Sequence, residues 1–337
     1  MSNDNKVQLG ANGPLVSKIG YGAMGLSAFY GTNLSADAAG EVLSRVIAAG
    51  CTFWDTSDVY MNNEDVIGEW FEKTGRRDEI FLASKFGVNF GGDGRAIRGD
   101  REYIRQCCDK SLARLKTDHL DLYYQHRTDP STPIEETVAA LAELVKEGKI
   151  RYIGLSECNE ATLRRAHKVH PITAIQIEYS PFVQFAETIG LAAACRELGV
   201  GIVAYSPLKQ GFVAGSFSTL GDLSKEDTRF IVPQFEAENV AHNLALVERM
   251  DAMAKKKGVT KSQLVLAWLV SRGVVPIPGT TKVERVDENY AMFKNPSLAL
   301  TPEEVAEFDA NEFHTAVIGE RSSPWYMEAL LVDTPEK

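Results

Sequence analysis

The sequence has few cysteines, no surplus of basic residues and no long apolar run. Only 5 of its 337 residues are cysteine, an odd number without C-x-x-C spacing, so neither a disulfide framework nor a zinc site is indicated. The 36 Lys and Arg residues against 46 Asp and Glu give a net charge of −10, which argues against nucleic acid or an anionic membrane as the main partner. No apolar run approaches the roughly 20 residues that span a bilayer, and residues 1–8 lack the apolar core of a signal peptide. We therefore expect a cytoplasmic protein with reduced thiols and no metal.

Eight short, nearly continuous apolar runs recur along the chain, as is typical of parallel strands covered on both faces. Amphipathic stretches lie between them, and several end at a glycine. Eight strands, each followed by a helix, favour an α/β fold of the (β/α)8 TIM-barrel type over a doubly wound sheet, because evenly spaced units fit closure better. The predicted strands are residues 17–23, 52–57, 80–87, 120–127, 150–157, 174–180, 201–208 and 273–280. The predicted helices between them are residues 35–49, 101–115, 134–147, 161–167 and 187–198.

Three further segments extend this barrel. An N-terminal hairpin (7–9 with 15–18) is expected to plug its bottom. The interval between the seventh and eighth strands is too long for one crossover, and predicts a long loop at 211–233 followed by extra helices at 239–258 and 261–272. A capped helix follows Thr301. We expect one domain over residues 1–337, with a core at about 7–315 and a tail at 315–337.

Residues 20–25 (GYGAMG) match the G-x-G-x-x-G dinucleotide fingerprint. That motif requires a helix to begin within it and an acidic residue about twenty positions on. Here the next predicted helix begins near Ser35, and Arg45 stands where the acid is required. A glycine-rich turn after the first strand is the better interpretation.

Polar residues cluster where the predicted strands end, and in a barrel of this type those ends form the active-site face. Asp55 and Lys85 are embedded in apolar strands, where a lone charge is costly, so we expect them to pair. Tyr60 and His126 follow the second and fourth strands. A packing role is an adequate explanation for any one of these four residues, but their convergence on one mouth indicates a catalytic site.

Residues 50–60 (GCTFWDTSDVY) resemble the signature of the aldo-keto reductase family, in which an Asp and a Tyr lie five residues apart after the second strand. Within that family the chain is similar to a group of bacterial, fungal and plant reductases with Gly-Leu-Ser-Glu after the fifth strand. Further matching motifs, in family order, are ASKF (83–86), DLYYQH (121–126), GKIRYIGLS (148–156), IQIEYS (175–180), AYSPL (204–208) and IPGT (277–280).

The resemblance implies NADPH-dependent reduction of an aldehyde or ketone to the alcohol. Tyr60 is then the proton donor, and Lys85, held by Asp55, lowers the tyrosine pKa from about 10. His126 hydrogen-bonds the carbonyl oxygen and orients it.

The resemblance also implies a cofactor site along the mouth of the barrel. The nicotinamide amide is assigned to Ser156 and Gln176, and its ring face to Tyr205. Lys282 and Arg285 suit a 2′-phosphate. The full set of expected cofactor residues is Gly22, Met24, Asp55, Ser156, Gln176, Tyr205, Ser206, Pro207, Leu208, Gly211, Gly279, Thr280, Thr281, Lys282, Arg285, Glu288 and Asn289.

The substrate is expected to be a small carbonyl compound of middling size in a moderately apolar pocket. The residues expected to line it are Tyr30, Val59, Phe90, Arg127 and Trp325. Three positions depart from the family pattern: Glu157-Cys158 replaces the commoner Asn-Phe, Met61 stands where glycine is frequent, and Gly279 replaces a basic residue.

Two other functions remain open at this point. A cofactor-binding sensor subunit without significant turnover requires the same residues. An aldolase-type barrel would use Lys85 to form a Schiff base, but an ion-paired lysine stays protonated and is a poor nucleophile. A monomer is the default expectation.

Overall fold

The computed structural model describes residues 5–28, 34–89, 95–225 and 227–337. It contains one sheet of eight parallel strands in which each strand pairs with the next along the chain. Each of the eight predicted runs contains one of these strands, so the strand prediction is confirmed. The barrel strands are Tyr21–Gly22 (β3), Phe53–Asp55 (β4), Phe81–Phe86 (β5), Leu120–Gln125 (β6), Ile150–Ser156 (β7), Ala174–Glu178 (β8), Gly201–Tyr205 (β9) and Val274–Pro276 (β10).

Backbone hydrogen bonds join the first and last strands of this sheet. The N–H of Gly20 donates to the carbonyl of Pro276 at 2.9 Å, and the N–H of Gly22 donates to the carbonyl of Pro278 at 3.3 Å. A Cβ atom at Gly22 would lie 2.7 Å from the carbonyl oxygen of Ile277, which explains the glycine at this seam. The sheet therefore closes, and the barrel prediction is confirmed.

The predicted N-terminal hairpin is also present. Its strands Lys6–Gln8 (β1) and Leu15–Ser17 (β2) pair antiparallel. Leu9 and Val16 are buried in a cluster with inward-facing strand residues such as Phe53. The N–H of Ala11 donates to the carbonyl of Gly199, just before β9, so the hairpin covers the bottom of the barrel.

Helices cover the outside of the barrel. Ser35 caps the first of them by accepting a hydrogen bond from the N–H of Ala38. The helices are Ala36–Ala48 (α1), Asn63–Thr74 (α2), Arg101–Arg114 (α3), Ile134–Lys146 (α4), Glu160–Val169 (α5), Phe185–Thr188 (α6), Leu191–Leu198 (α7), Ala237–Lys257 (α8), Lys261–Ser271 (α9), Val283–Asn289 (α10), Pro302–Asp309 (α11), Phe313–Ala316 (α12) and Pro324–Met327 (α13).

Two details differ from the helix predictions. The helix predicted over residues 187–198 is divided into α6 and α7, because Gly190 adopts φ +80° between them. The helix α2 was not predicted. Its buried residues include Asn63 and Glu64 among apolar ones, which weakens the amphipathic pattern.

The long segment between β9 and β10 forms the predicted loop and extra helices. The loop carries short 3-10 turns and an aromatic cluster in which Phe212, Phe217 and Phe235 lie with ring centroids 5.0–5.4 Å apart. Across the described part of the chain, none of the helices combines the length and apolar character that a bilayer crossing requires. All five cysteines are buried and free.

Candidate active site

Asp55 and Lys85 form a buried ion pair where β4 and β5 end. Lys85 Nζ lies 2.5 Å from Asp55 Oδ1 and donates a second hydrogen bond to the carbonyl of Thr56 at 2.8 Å. The Gln176 amide donates to the other oxygen of Asp55 at 2.7 Å. Burial raises the pKa of Asp55 and lowers that of Lys85, and their mutual attraction opposes both shifts. The predicted pair is present, and the lysine charge is matched by a carboxylate.

Tyr60 and His126 meet above this pair. Lys85 Nζ lies 5.1 Å from the centroid of the Tyr60 ring. The His126 ring stands edge-on to the Tyr60 ring, with centroids 5.9 Å apart and an interplanar angle of 85°. The four residues expected from the sequence to form a catalytic group therefore converge at one end of the barrel.

The turn that carries Tyr60 is anchored by a buried asparagine. The Asn63 amide donates to the carbonyl of Ala23 at 2.8 Å and to Ser27 Oγ at 2.9 Å, and its oxygen accepts from Thr56 at 2.7 Å. Ser27 in turn donates to the carbonyl of Tyr60 at 2.9 Å. Sequence reasoning missed Asn63, because an asparagine beside a turn is common and its partners lie on two other segments.

Met61 directly follows Tyr60 and has φ +56°. Glycine adopts this conformation without steric cost, which explains its frequency at this position in the resembling sequences. Here the methionine side chain is 66% exposed at the rim of the site.

The electrostatics of the site differ in one respect from the expectation. Burial and the charge of Asp55 raise the pKa of Tyr60, and the charge of Arg127 opposes them. Burial, with the charges of Arg127 and Lys85, lowers the pKa of His126 well below its usual range, so this imidazole is neutral at physiological pH.

Three of the expected cofactor residues stand on consecutive strands. Ser156 ends β7 and lies opposite Gln176 on β8, and Tyr205 ends β9 opposite Glu178. Ser156 and Gln176 are buried, and Tyr205 is partly exposed. A hydroxyl, an amide and an aromatic ring are thus side by side at the mouth of the barrel.

The remaining expected cofactor residues surround the ends of β3, β9 and β10. Gly22 ends β3, and Met24 lies in the 3-10 turn Ala23–Leu26 that follows. Beyond β9, Ser206 adopts φ +49° and Gly211 φ +90°. The others are Pro207 and Leu208 after β9, Gly279, Thr280 and Thr281 after β10, and Glu288 and Asn289 at the end of α10.

Lys282 and Arg285 lie at the start of α10. Neither forms an ion pair with a carboxylate among the residues that the structure describes, whereas Asp287 of the same helix is paired with Arg45 at 2.6 Å. Arg285 donates to Ser216 Oγ at 2.7 Å, which connects α10 to the long loop after β9. Among the described residues, these two cations beside the loop therefore have no carboxylate partner.

The structure brings together fewer of the residues that were expected to line the substrate pocket. Tyr30 and Phe90 lie outside the described residues. Val59 is half-buried, and Trp325 is 65% exposed. The buried Arg127 guanidinium donates to the His126 carbonyl at 2.6 Å and to Ser156 Oγ at 3.4 Å, and also bonds the hydroxyl of Tyr326, the neighbour of Trp325.

A buried ionic cluster beside Tyr205 was missed by sequence reasoning. We call this cluster the tail clasp. It consists of Glu157 just after β7, Glu178 at the end of β8, Lys209 after β9, and Arg321 from the C-terminal tail. Arg321 lies 2.8 Å from Glu157 and 3.2 Å from Glu178, and Lys209 lies 2.7 Å from Glu178. Glu157 also accepts a hydrogen bond from the Tyr205 hydroxyl at 2.8 Å.

Glu157 is ionised within this cluster. Burial opposes its ionisation, but the hydrogen bonds and charge of Arg321 outweigh burial and lower the pKa of the carboxyl. Glu157 has φ +50°, a conformation that asparagine adopts more readily, and its ion pairs offset that cost. Its place after Ser156 was a visible departure from the family pattern, but nothing in the sequence indicates that Arg321 folds back onto it.

Within the described ranges, no group of three or more His, Cys, Asp or Glu side chains is arranged to hold a metal ion. The site combines a phenol, a neutral imidazole and a buried Asp–Lys pair. Beside them lie polar groups that suit an amide, an aromatic side chain that suits a planar ring, and cations that suit a phosphate. Together with the closed barrel, these features define a (β/α)8-barrel protein with a polar active-site mouth of the kind that binds an organic cofactor.

The chain belongs to the Aldo/keto reductase family, whose sequence profile matches residues 18–312. The aldo-keto reductase str7 of Strobilurus tenacellus is 46% identical over 331 residues, covering 96% of both chains. The aldo-keto reductase yakc [NADP(+)] of Schizosaccharomyces pombe is 43% identical over 328 residues, covering 95% of both chains.

Solved structures share the fold. The thermostable aldo-keto reductase Tm1743, solved in complex with the inhibitor epalrestat, superposes with a TM-score of 0.72 at 29% identity, covering 90% of this chain and 98% of that one. The glycerol dehydrogenase AKR11B4 of Gluconobacter oxydans superposes with a TM-score of 0.81 at 22% identity, covering 93% and 97%. The second likeness supports the fold alone.

Proposed function

We propose that this protein reduces a small aldehyde or ketone to the alcohol with NADPH, and that Tyr60 supplies the proton. The observation that carries the proposal is the buried Asp55–Lys85 pair beneath Tyr60, with neutral His126 beside it. The family membership and the NADP(+) in the name of the fission-yeast relative support the same reaction.

The cofactor is supported by the chemistry of the residues at the mouth. The Ser156 hydroxyl and Gln176 amide match the carboxamide of nicotinamide, and the Tyr205 ring matches its face. Such a cofactor would supply the hydride that reaches the carbonyl carbon. The residues of the chain bind it, orient the carbonyl and deliver the proton.

The proton is delivered to the carbonyl oxygen by Tyr60. The phenol is protonated at neutral pH, as any tyrosine with a pKa of about 10 is, and its raised pKa means that the phenolate left after donation has to be stabilised. Arg127 and the Lys85 ammonium lie near the phenolate that remains, and favour it electrostatically. His126 hydrogen-bonds the same oxygen and fixes its orientation.

NADPH is proposed over NADH because of Lys282 and Arg285. Two cations without a carboxylate partner among the described residues suit the charge of a 2′-phosphate, which a free ribose hydroxyl lacks. The link from Arg285 to Ser216 allows the long loop to participate in the same site.

A fluorescence titration tests the cofactor assignment without any choice of substrate. NADPH should quench the intrinsic tryptophan fluorescence with a much lower dissociation constant than NADH. Lys282→Ala and Arg285→Ala should each weaken NADPH binding about tenfold, the loss expected for one charge-assisted contact, and leave NADH binding nearly unchanged.

Lys294→Ala is the matched control, because Lys294 is exposed on the following segment and forms no ion pair with any described residue. It should bind NADPH like the wild type. Equal affinity for the two nucleotides, or absence of binding, would contradict the assignment.

The arrangement of Lys85 is unfavourable for the aldolase alternative. Its ammonium donates hydrogen bonds to Asp55 and to the Thr56 carbonyl, and these oppose the lowering of its pKa by burial and favour the protonated, non-nucleophilic form. Borohydride treatment with a carbonyl substrate should therefore leave Lys85 unmodified, as peptide mass mapping would show.

We further propose that the protein acts in the cytoplasm as a single-domain monomer. Five buried, free cysteines support a reducing compartment. Light scattering coupled to size-exclusion chromatography should give one species of about 37.1 kDa.

A further inference from the structure

Ser57 and Asp58 lie between Asp55 and Tyr60 but have no part in the reaction as described so far. Ser57 Oγ lies 3.1 Å from His126 Nδ1 and 3.2 Å from Asp58 Oδ1. It also accepts a hydrogen bond from the backbone N–H of Val59 at 3.4 Å. Ser57 is fully buried, so water does not compete for its hydroxyl. The one hydroxyl hydrogen of Ser57 therefore has two possible acceptors, the Asp58 carboxylate and the imidazole.

The choice between these acceptors determines what His126 can do. When Ser57 donates to Asp58, His126 must place its proton on Nδ1 to bond Ser57, and Nε2 is then only an acceptor. When Ser57 donates to Nδ1, the imidazole proton is on Nε2. Since Nδ1 is engaged by Ser57, Nε2 is the nitrogen left to bond a carbonyl oxygen, and it needs a proton to do so.

We propose that Ser57 and Asp58 are positioning residues that determine which ring nitrogen of His126 carries the proton. The inference rests on the proposed function, in which His126 donates to the substrate carbonyl. An ionised Asp58 draws the Ser57 hydrogen toward itself, since a carboxylate is the stronger acceptor. A protonated Asp58 donates to Ser57, and Ser57 then donates to Nδ1.

The proton transfers among Asp58, Ser57 and His126 balance when one proton is taken from solvent. In the ionised form, Ser57 and His126 hold one proton each. On acidification the proton on Nδ1 passes to Ser57 Oγ, the Ser57 proton passes to Asp58, and the incoming proton binds Nε2. No other group gains or loses a proton, so the three residues switch together.

The surroundings of Asp58 place this switch in an accessible pH range. Partial burial and the charge of Glu64 raise the pKa of the half-buried Asp58 to about 7, against the opposing effect of Ser57, Lys110 and Arg114. Arg114 donates to the backbone carbonyl of Asp58 at 3.1 Å. The titratable or charged groups that interact with Asp58 are Glu64 on α2, Tyr103, Cys107, Lys110 and Arg114 on α3, Lys85 on β5, Tyr123 on β6, and Tyr60 on its own turn.

Nitrogen-15 NMR of the histidine side chains tests the proposal directly, because it distinguishes the two tautomers without substrate or cofactor. Six histidines are present, and the His126 signals are identified by their loss in His126→Gln. In the wild type we expect the proton on Nδ1 at pH 8 and on Nε2 at pH 6. In Asp58→Ala, Ser57 has only Nδ1 as an acceptor, so we expect the proton on Nε2 at both pH values.

Two further variants complete the test. Ser57→Ala breaks the connection, so the His126 tautomer should no longer depend on pH. Asp65→Asn removes a carboxylate from α2 that also binds Arg114 but does not contact Ser57, and should behave like the wild type. A wild-type His126 in one tautomer at both pH values, or a tautomer change that survives Asp58→Ala, would overturn the proposal.

The pH dependence of carbonyl reduction separates this inference from the function on which it rests. In the wild type kcat/KM should fall above pH 7, approaching a loss of about tenfold per pH unit. In Asp58→Ala it should change by less than about twofold between pH 6 and 8. If no variant turns over any carbonyl, the proposed function fails, while the NMR result still decides the tautomer switch.

Discussion

At the scale of single residues, Asp58 shows how partial burial beside the catalytic turn sets a local charge. The Asp58 carboxyl is half-buried, and its partial removal from water together with the nearby charge of Glu64 raises its pKa to about 7. In the unfolded chain its pKa is near 3.9. Between pH 4 and 7 the folded protein therefore holds a proton that the unfolded chain has released, so this group lowers the free energy of unfolding as pH rises.

Asp58→Asn should remove that pH-dependent loss. We expect the free energy of unfolding of the variant, relative to the wild type, to increase from pH 4.5 to pH 7 and to remain level above pH 8. Urea denaturation of both proteins at several pH values measures the difference. A difference that is constant with pH would show that Asp58 is ionised normally in the folded state.

The residue types of the candidate catalytic group are predictable from the sequence, whereas their electrostatics are not. Asp55, Tyr60, Lys85 and His126 each stand at or just beyond the end of a predicted strand, so chain order alone brings them to one mouth. That the pKa of Tyr60 is raised depends first on its burial and then on the charge of Asp55. The sequence contains no measure of how far the Tyr60 hydroxyl is removed from water.

At the scale of elements, the C-terminal tail is held onto the barrel by the tail clasp. Arg321 is buried between Glu157 and Glu178 and also packs over the Phe185 ring, with Cζ 4.2 Å from its centroid. Further along the tail, the N–H of Leu331 donates to the carbonyl of Glu157 at 2.8 Å. The tail is thus fixed to the turn that follows Ser156.

Arg321→Met should destabilise the protein by about 3–5 kcal/mol, because it leaves Glu157 without its cation in a buried position. The accompanying Glu157→Gln change should recover part of that loss. Thermal or urea denaturation of both single variants and the double variant measures the coupling between the two residues.

Arg101→Met is the control, since its ion pair with Glu143 is largely exposed and should contribute less than about 1 kcal/mol. Additive effects of the two clasp substitutions would contradict the proposed coupling.

The elements themselves were largely predictable, and the exceptions have local causes. Continuous apolar runs identify all eight barrel strands, because parallel strands are buried on both faces. The helix predicted over residues 187–198 failed at Gly190, and α2 was missed because polar residues such as Asn63 and Glu64 are buried on its inner face. The tail helices α12 and α13 have four residues each, which is too short for a helical period to be detected in the sequence.

At the scale of the whole molecule, barrel closure depends on the close approach of β3 to the strand end at Ile277. Gly22→Ala would place a methyl group 2.7 Å from the Ile277 carbonyl oxygen, and because this is a backbone atom one of the two chain segments at the seam must shift. We expect a loss of about 2 kcal/mol in the free energy of unfolding.

Gly40→Ala is the matched control. The added Cβ would lie 3.6 Å from the Trp70 ring, an ordinary contact distance, and the substitution should stabilise α1 by about 0.5–1 kcal/mol. Equal effects of the two substitutions would show that the seam is not a point of strain.

The measurement that tests the account most directly is single-turnover oxidation of NADPH by aldehydes and ketones, in the wild type and in Tyr60→Phe. The account predicts that the wild type oxidises NADPH and forms the alcohol, and that Tyr60→Phe binds NADPH equally well but reacts about 10³-fold more slowly, because only the proton donor is lost. Tyr152→Phe, a half-buried tyrosine low on β7, should react like the wild type. Comparable rates in Tyr60→Phe and the wild type would contradict the central claim.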